Sequence, residues 1–214
     1  MKKYIPALTF DFLTGYYDWV IKKVMPTGFR DVLVKQLHLS PNEVILDFGT
    51  GTAELAILIK RKETTTSVTG VDVDTRVLQI AKNKITEQGL DIHTLQYDGT
   101  RFPFKSDHFD KVVSCLVFHH LNHDQKKDAL SEIFRVLKKG GRLYISDWGL
   151  ERNPLKVGFL KLFKNFKSLK ILEEHSKGML PKYIMQEGFK NVAETSFLET
   201  YTGTLCYYEA EKEN

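Results

Sequence analysis

Cysteine is scarce in this chain of 214 residues, where only Cys115 and Cys206 occur. Two cysteines exclude a fold held together by several disulfides and are typical of a reducing compartment, so we expect a cytoplasmic location. Long apolar runs are also missing, which argues against a membrane-spanning helix. Near the N-terminus, Asp11, Asp18 and Lys22 interrupt the apolar pattern, and we therefore expect no secretion signal.

No charge of one sign dominates the composition. The net charge is +4 at pH 7, and hydrophobic and charged residues make up 42% and 27% of the chain. These values are typical of a soluble globular protein of one domain. The weak positive excess does not by itself indicate a nucleic-acid partner.

One stretch organises the rest of the chain. Residues 44–46 are an apolar run that predicts a buried strand, and this run ends at Asp47. Gly49 and Gly51 then allow a sharp turn and a close approach of the backbone to a ligand. A helix is predicted over 53–61, and its free N–H groups point back at the turn. This arrangement indicates a cradle for a small molecule at the edge of a parallel sheet.

Strands and amphipathic helices alternate along the remaining chain. Further strands are predicted over 67–73, 91–96, 109–117 and 142–148. Thr75 is predicted to cap the start of a helix that carries residues 77–85, and another helix is predicted over 124–137. Two last strands, over 191–198 and 201–210, are joined by too few residues for a crossover helix and therefore form an antiparallel hairpin. The pattern predicts an α/β fold with a doubly wound, seven-stranded, mostly parallel sheet of the Rossmann-like kind.

Four motifs occur in a consistent order and spacing. They are Asp47-x-Gly49-x-Gly51, Asp72 after the second strand, Asp98-Gly99 before the Phe109-Asp110 strand, and Arg135-Val-Leu-Lys-Lys-Gly-Gly141. With these motifs the chain resembles the class I S-adenosylmethionine (SAM)-dependent methyltransferases, in particular the small-molecule branch that includes the ubiquinone/menaquinone C-methyltransferases. The family loop often carries a third glycine where this chain has Ala53, for which we expect a small cost in backbone approach.

The resemblance implies SAM as the cofactor and S-adenosylhomocysteine as its product. The residues it assigns to the cofactor are Tyr17, Asp47, Gly49, Thr50, Gly51, Asp72, Val73, Asp98 and Gly99. In this assignment Asp72 accepts hydrogen bonds from the ribose hydroxyls, Asp98 accepts one from the adenine amino group, and Tyr17 closes over the cofactor. The alternative role of each acid is that of a strand-end turn or helix-cap residue.

The resemblance also divides the domain into parts. Residues 1–39 are an N-terminal helical lid, 40–149 the SAM-binding core, 150–175 a cap insertion, and 176–214 the C-terminal part of the same sheet. The segment 150–172 interleaves lysines with leucines and phenylalanines. Such a segment is either a helix packed over the sheet edge or a cap over the substrate pocket that also touches an anionic membrane surface.

Methyl transfer from a sulfonium is an in-line displacement, so the protein mainly positions the reactants and excludes water. His119 and His120 follow the fourth strand, at the edge where ligands bind, and either could remove a proton from the acceptor. The alternative is a structural turn. His123 stands four residues after His119, as in a metal-binding pair, but no third ligand is near in sequence, so we expect no metal.

Three other functions share parts of this pattern. An NAD-dependent oxidoreductase would use the glycine turn and Asp72, but Asp98-Gly99 has no role in it. A non-enzymatic binding module would have the same fold without catalytic activity. A nucleic-acid adenine methyltransferase would usually show Asn/Asp-Pro-Pro-aromatic after the fourth strand, where Ser114-Cys-Leu-Val stands. We therefore predict an enzyme that methylates a small, apolar or aromatic acceptor, without a nucleic-acid partner; no motif indicates an oligomeric state.

Overall fold

One sheet of seven strands forms the centre of the computed structural model, which describes residues 25–153, 177–200 and 203–213. The strands are β1 (Val44–Phe48), β2 (Ser67–Asp72), β3 (Ile92–Gln96), β4 (Phe109–Cys115), β5 (Leu137–Trp148), β6 (Lys190–Glu199) and β7 (Thr204–Glu211). Their order across the sheet is β3-β2-β1-β4-β5-β7-β6. β7 runs antiparallel to β5 and β6, and the other neighbours are parallel. The predicted fold with its C-terminal hairpin is confirmed.

Helices cover both faces of the sheet. In the described ranges they are α1 (Phe29–Gln36), α2 (Glu54–Lys62), α3 (Thr75–Glu87), α4 (His123–Val136) and α5 (Leu180–Gln186), with a short 3₁₀ helix at Phe118–His120. Successive strand residues face opposite sides. Ile45 accordingly belongs to the core that includes α1, α2 and α3, and Leu46 to the core that includes α4 and α5. This two-sided burial leaves the carboxyl ends of the parallel strands as the edge available for a site.

β5 is longer than predicted at its amino end. The helix before it ends at Val136, and Leu137 already pairs with Phe109 of β4. Gly140 N donates to Lys212 O at 2.7 Å, which extends the pairing with the C-terminal segment. The prediction of a helix through residue 137 and a strand that begins at residue 142 was therefore wrong, because these long-range pairings are not visible in a local pattern.

Some predictions lie outside the described residues. Tyr17 and most of the predicted lid fall within residues 1–24, and most of the cap insertion falls within 154–176. Within the described part of the predicted lid, the chain forms α1. In the described parts of the chain, no helix combines the length and the apolar character needed to cross a membrane.

Candidate active site

The glycine-rich turn lies at the end of β1 and is fixed to β2. Gly49 N and Thr50 N donate to Val71 O at 2.9 and 3.0 Å. Gly49 has a φ of 71°, and a Cβ at this position would come within 2.3 Å of Val117 Cγ2. A Cβ added at Gly51 would meet nothing within 4 Å. The turn is therefore packed on one side and open on the other, as a close approach of its main chain to a ligand requires.

Gly70 was not recognised from the sequence as part of the turn, and the cost expected at Ala53 takes a different form from the one predicted. A Cβ at Gly70 of β2 would lie 2.6 Å from Thr50 Oγ1, so this glycine makes room for the turn. Ala53 is fully buried and has a φ of 65°. The left-handed conformation costs a non-glycine residue about 1–2 kcal/mol. The cost of lacking a third glycine in this loop is thus a backbone strain at Ala53.

Asp47 is a buried carboxyl group at the start of the turn, with a relative exposure of 1%. Thr50 Oγ1 donates to its Oδ2 at 2.7 Å. Burial, with a smaller contribution from the nearby Asp72, raises the pKa of Asp47 to about 7, although the Thr50 hydrogen bond and the Arg30 charge act in the opposite direction. A buried acid with such a pKa is suited to meet a cationic group of a ligand.

Asp72 lies at the carboxyl end of β2, next to the turn. Gly51 N donates to its Oδ2 at 2.9 Å, and Asp74 N donates to its Oδ1 at 3.0 Å. Burial raises the pKa of Asp72 despite these main-chain donors. The structure therefore brings Asp72 to the glycine turn, as predicted for a ribose acceptor, and shows that its carboxylate also holds the turn in place.

The Asp98-Gly99 loop lies beside the end of β2. An added Cβ at Gly99, whose φ is 82°, would be 3.6 Å from Val73 Cγ1. Asp98 is exposed, and its Oδ1 accepts from Thr100 N at 2.8 Å, Thr100 Oγ1 at 2.6 Å and Arg101 N at 3.2 Å. The Thr100 hydrogen bonds hold the pKa of Asp98 below its usual range. Val73 and Gly99 thus lie next to each other, and Asp98 stabilises the conformation of its own loop.

His119 is paired with a buried acid. Its Nδ1 lies 2.8 Å from Oδ1 of Asp147, at the end of the neighbouring strand β5. Asp147 has a relative exposure of 0%, and it also accepts from the main-chain N–H of Val117 at 3.0 Å and of Trp148 at 2.7 Å. The rings of His119 and His120 are in contact, with centroids 3.8 Å apart. Of the two predicted histidines, His119 is the one whose acid partner the structure describes.

Asp147 is the site residue that the sequence analysis missed. It is the second-last residue of the predicted strand 142–148, and this position was the available signal, because an acid at the carboxyl end of a central strand lies at the ligand-binding edge. What could not be read was the pairing of β4 with β5, which aligns Cys115 with Ser146 and so brings the two strand ends together.

Known proteins resemble the chain in this same region. A family profile described as a methyltransferase domain matches residues 45–141. The ubiquinone/menaquinone biosynthesis C-methyltransferase of Bordetella parapertussis is 30% identical, and the alignment covers 72% of this chain and 60% of that protein. The demethylmenaquinone methyltransferase of Lactobacillus johnsonii is 32% identical, and the alignment covers 77% of this chain and 75% of that protein. The chain belongs to the class I SAM-dependent methyltransferases.

Solved structures agree with this family at the level of the fold. Phosphoethanolamine N-methyltransferase 2 of Haemonchus contortus superposes with a TM-score of 0.75 at 16% identity, over 98% of this methyltransferase and 59% of that chain. A putative methyltransferase of Bacillus halodurans superposes with a TM-score of 0.67 at 19% identity, over 87% of this chain and 100% of that chain. The family membership sets aside the oxidoreductase alternative.

The residues at the edge of this methyltransferase sheet fit SAM. The open side of Gly51 leaves space for a ligand against the turn, and Asp47 offers a buried carboxyl group beside it. Asp72 offers oxygen acceptors and Val73 an apolar surface next to Gly99. These groups match the amino-acid, ribose and adenine parts of the cofactor in chemistry and in order along the sheet. Among the described residues, no group of three His, Cys, Asp or Glu side chains could hold a metal ion.

A clamp on α4 of the methyltransferase fixes the segment that follows Asp98-Gly99. Arg135 Nη1 donates to Phe104 O at 2.8 Å, and its Nε donates to Glu132 Oε1 at 2.8 Å. Glu132 Oε2 accepts from Phe102 N at 2.8 Å. Glu132 and Arg135 thus hold both ends of the 102–104 loop, which gives a physical role to the arginine of the Arg135–Gly141 motif.

Replacing Arg135 with methionine should loosen this loop. We expect a loss of about 2–3 kcal/mol in the free energy of unfolding, because charge-assisted hydrogen bonds to two carbonyls and one carboxylate disappear. Urea denaturation measures the loss, and hydrogen exchange should rise over residues 98–104. Arg142→Met is the matched control, since Arg142 has 47% side-chain exposure and pairs with Glu209 at the surface. Equal exchange over 98–104 in both variants would contradict the clamp.

Proposed function

We propose that this methyltransferase methylates a small acceptor that must lose a proton in the reaction. The observation that carries this proposal is the 2.8 Å contact between His119 Nδ1 and Asp147 Oδ1. An acceptor that is already a good nucleophile needs only to be positioned, whereas a hydroxylated ring or an ammonium group needs a base. A histidine oriented by a fully buried acid is suited to that role.

In this proposal His119 accepts the proton at Nε2. Asp147 accepts a hydrogen bond from the Nδ1–H group, which leaves the proton-accepting lone pair on Nε2. The carboxylate then stabilises the imidazolium that forms. Val117 and Trp148 hold Asp147 in place through their N–H groups. Val117 also packs against Gly49, so the base and the glycine turn share one rigid support.

When bound, SAM supplies a methyl group on a positively charged sulfur that needs no further activation. We propose that the chain holds it with Asp47, Gly49, Thr50 and Gly51 at the amino-acid part, Asp72 at the ribose, and Val73, Asp98 and Gly99 at the adenine. We further propose that Tyr17 binds the cofactor and that exclusion of water from the site strengthens every electrostatic contact inside it.

The proposed acceptor class is a hydroxylated aromatic ring of the quinol type. Loss of a ring hydroxyl proton to His119 raises the electron density of the ring carbons, so that one of them can attack the methyl group and then lose its own proton. Trp148, whose ring centroid lies 6.4 Å from that of His119, offers an aromatic wall nearby. The similar enzymes named for demethylmenaquinone and for ubiquinone/menaquinone biosynthesis support this class. We place the enzyme in the cytoplasm, as the scarcity of cysteine suggests.

The test is transfer of a labelled methyl group from SAM to a short-chain demethylmenaquinol. We expect label on a ring carbon, transfer to the reduced quinol and none to the quinone, which has no hydroxyl proton to lose. Phenols and phosphoethanolamine are assayed in parallel, the latter as an amine acceptor. Transfer to phosphoethanolamine with none to the quinol would overturn the acceptor class, and transfer that survives in His119→Ala at the wild-type rate would overturn the role of His119.

The ribose assignment has a binding test. We expect Asp72→Ala to weaken binding of S-adenosylhomocysteine by roughly 2 kcal/mol, because a charged hydrogen-bond acceptor is lost. Calorimetric titration measures this change. Asp74→Ala is the control: Asp74 caps α3 by accepting from Arg76 N at 2.8 Å, so its loss costs about 1 kcal/mol of stability and spares the cofactor. Equal affinities in the two variants would remove Asp72 from the ribose site.

A further inference from the structure

A buried acid lies just beyond the end of β5. Glu151 follows Trp148 by three residues and has a relative exposure of 8%. Its Oε1 accepts from Asn153 N at 2.9 Å and from Thr204 Oγ1 at 3.2 Å. Thr204 is the first residue of β7, and its carbonyl group accepts from Gly149 N at 3.0 Å. Because β7 runs antiparallel to β5, these contacts fix Glu151 at the carboxyl edge of the parallel strands.

The second carboxyl oxygen of Glu151 lies close to the ring of Trp148, with Gly203 between them. A Cβ added at Gly203 would be 3.6 Å from Glu151 Oε2 and 3.3 Å from Trp148 Cε3. Gly203 is held by Thr200, whose Oγ1 donates to Gly203 O at 2.8 Å. The ring centroid of Trp148 is in turn 6.4 Å from that of His119. The carboxyl group, the indole ring and the proposed base thus lie together at one edge of the sheet.

Only one oxygen of this carboxyl group is engaged by the residues that the structure describes. Both hydrogen bonds to Glu151 end on Oε1, so Oε2 receives none from those residues. The next residue, Arg152, supplies no counter-charge, because its Nη2 donates to Glu194 Oε1 of β6 at 2.6 Å. A carboxylate that is largely removed from water normally needs donors or a counter-charge. Oε1 therefore fixes the side chain, and Oε2 is available to a ligand.

The proposed acceptor, a quinol, carries two hydroxyl groups on its ring. His119 removes the proton of one of them, which leaves the other as a hydrogen-bond donor. We propose that Glu151 accepts a hydrogen bond from this second hydroxyl group while the acceptor ring lies beside Trp148. Because a hydrogen bond to a carboxylate is stronger than one to a neutral group, Glu151 selects acceptors that carry this hydroxyl group. The inference rests on the proposed function and adds a specificity-determining residue outside the cofactor motifs.

The test compares two ligands that differ only in the second hydroxyl group. One is the short-chain demethylmenaquinol, assayed as the acceptor. The other is the corresponding naphthol, which lacks the hydroxyl group not adjacent to the methylated carbon and is assayed as a competitive inhibitor. We expect Glu151→Gln to lower kcat/KM for the quinol by about tenfold or more and to change the inhibition constant of the naphthol by less than about twofold, because only the quinol loses a charge-assisted hydrogen bond.

Glutamine keeps one oxygen for the N–H of Asn153 and the hydroxyl group of Thr204, so Glu151→Gln should unfold in urea as wild type does. Glu199→Gln, at the exposed end of β6, is the matched control and should leave both constants unchanged. Equal losses for the quinol and the naphthol in Glu151→Gln would show a structural role and overturn the inference, as would an unchanged kcat/KM for the quinol.

If Glu151→Gln fails to fold, the same comparison is made with Glu151→Asp, which keeps the charge and withdraws it by one methylene group. An unchanged ratio of the two constants in that variant overturns the inference. A wild-type enzyme that neither methylates the quinol nor is inhibited by the naphthol would refute the acceptor class, and with it this inference. The failure of the proposed function is thereby distinguished from a failure of Glu151 alone, in which wild type methylates the quinol.

Discussion

Asp147→Asn should lower kcat for an acceptor that needs deprotonation by about 10²–10³-fold while leaving cofactor affinity unchanged. An asparagine turns its NH₂ group toward His119 Nδ1 and so favours the tautomer in which Nε2 carries the proton. That tautomer cannot act as a base. His119→Ala should give a similar loss, and the double variant should lose no more than either single one, because the two residues act as a unit.

The measurement is kcat as a function of pH with saturating SAM, together with calorimetric titration of S-adenosylhomocysteine. Asp147 also accepts from main-chain groups of Val117 and Trp148, so the variant will lose about 1–3 kcal/mol of stability as well. Asp110→Asn separates the two effects. Asp110 accepts from Val44 N at 2.9 Å and Lys138 Nζ at 2.7 Å at the opposite edge of the sheet, so it should cost stability and spare kcat. A comparable fall of kcat in both variants would refute the base assignment.

The cofactor edge was predictable from sequence because local rules determine it. A strand that ends in an acid and is followed by two glycines and the start of a helix can adopt only a few conformations. Each residue of the Asp47–Gly51 turn lies where this pattern predicts. The alternation of strands and helices then predicted a parallel sheet, whose strand ends meet at one edge, although the order of the strands was not predicted. The glycine turn, Asp72 and the Asp98-Gly99 loop therefore meet along one edge, as expected.

The acceptor side was less predictable because it depends on pairing between distant segments. Asp147 approaches His119 only because β4 and β5 are neighbours in a particular register, and Gly70 matters only because Thr50 lies over it. Periodicity identifies the faces of these elements, but it does not tell which polar side chains will converge at the ends of the sheet.

Asp47→Asn should make the ligand-free protein more stable at alkaline pH and impair cofactor binding. Asp47 has a pKa of about 7 in the folded protein against an ordinary value of 3.8, because burial disfavours its charged form. A raised folded-state pKa means that its stabilising contribution is complete below the unfolded value and is lost as the pH rises through the folded one. Each pKa unit corresponds to about 1.4 kcal/mol, so the loss across this range is on the order of 4 kcal/mol.

The wild-type free energy of unfolding should therefore fall between about pH 4 and pH 8, and that of Asp47→Asn should fall much less. The asparagine oxygen can still accept the Thr50 hydrogen bond, which keeps the turn intact. Urea denaturation at several pH values measures both curves, with Asp91→Asn as the control at an exposed acid. If the free energy of unfolding varies with pH in the same way in wild type and Asp47→Asn, burial of Asp47 does not destabilise the protein as the pH rises.

Asp47→Asn also tests what the buried acid contributes to binding, given that its burial lowers the free energy of unfolding. A cationic amino group placed beside Asp47 favours the carboxylate, so binding should draw a proton from Asp47 below about pH 7 and tighten as the pH rises. S-adenosylhomocysteine should stabilise wild type at about pH 8 by RT ln(1 + [L]/Kd) and Asp47→Asn far less. Equal stabilisation of both proteins would place the ammonium group elsewhere. The expected outcome would mean that burial of Asp47 destabilises the ligand-free protein and that the ammonium group of the ligand, by supplying a counter-charge, converts this cost into binding affinity.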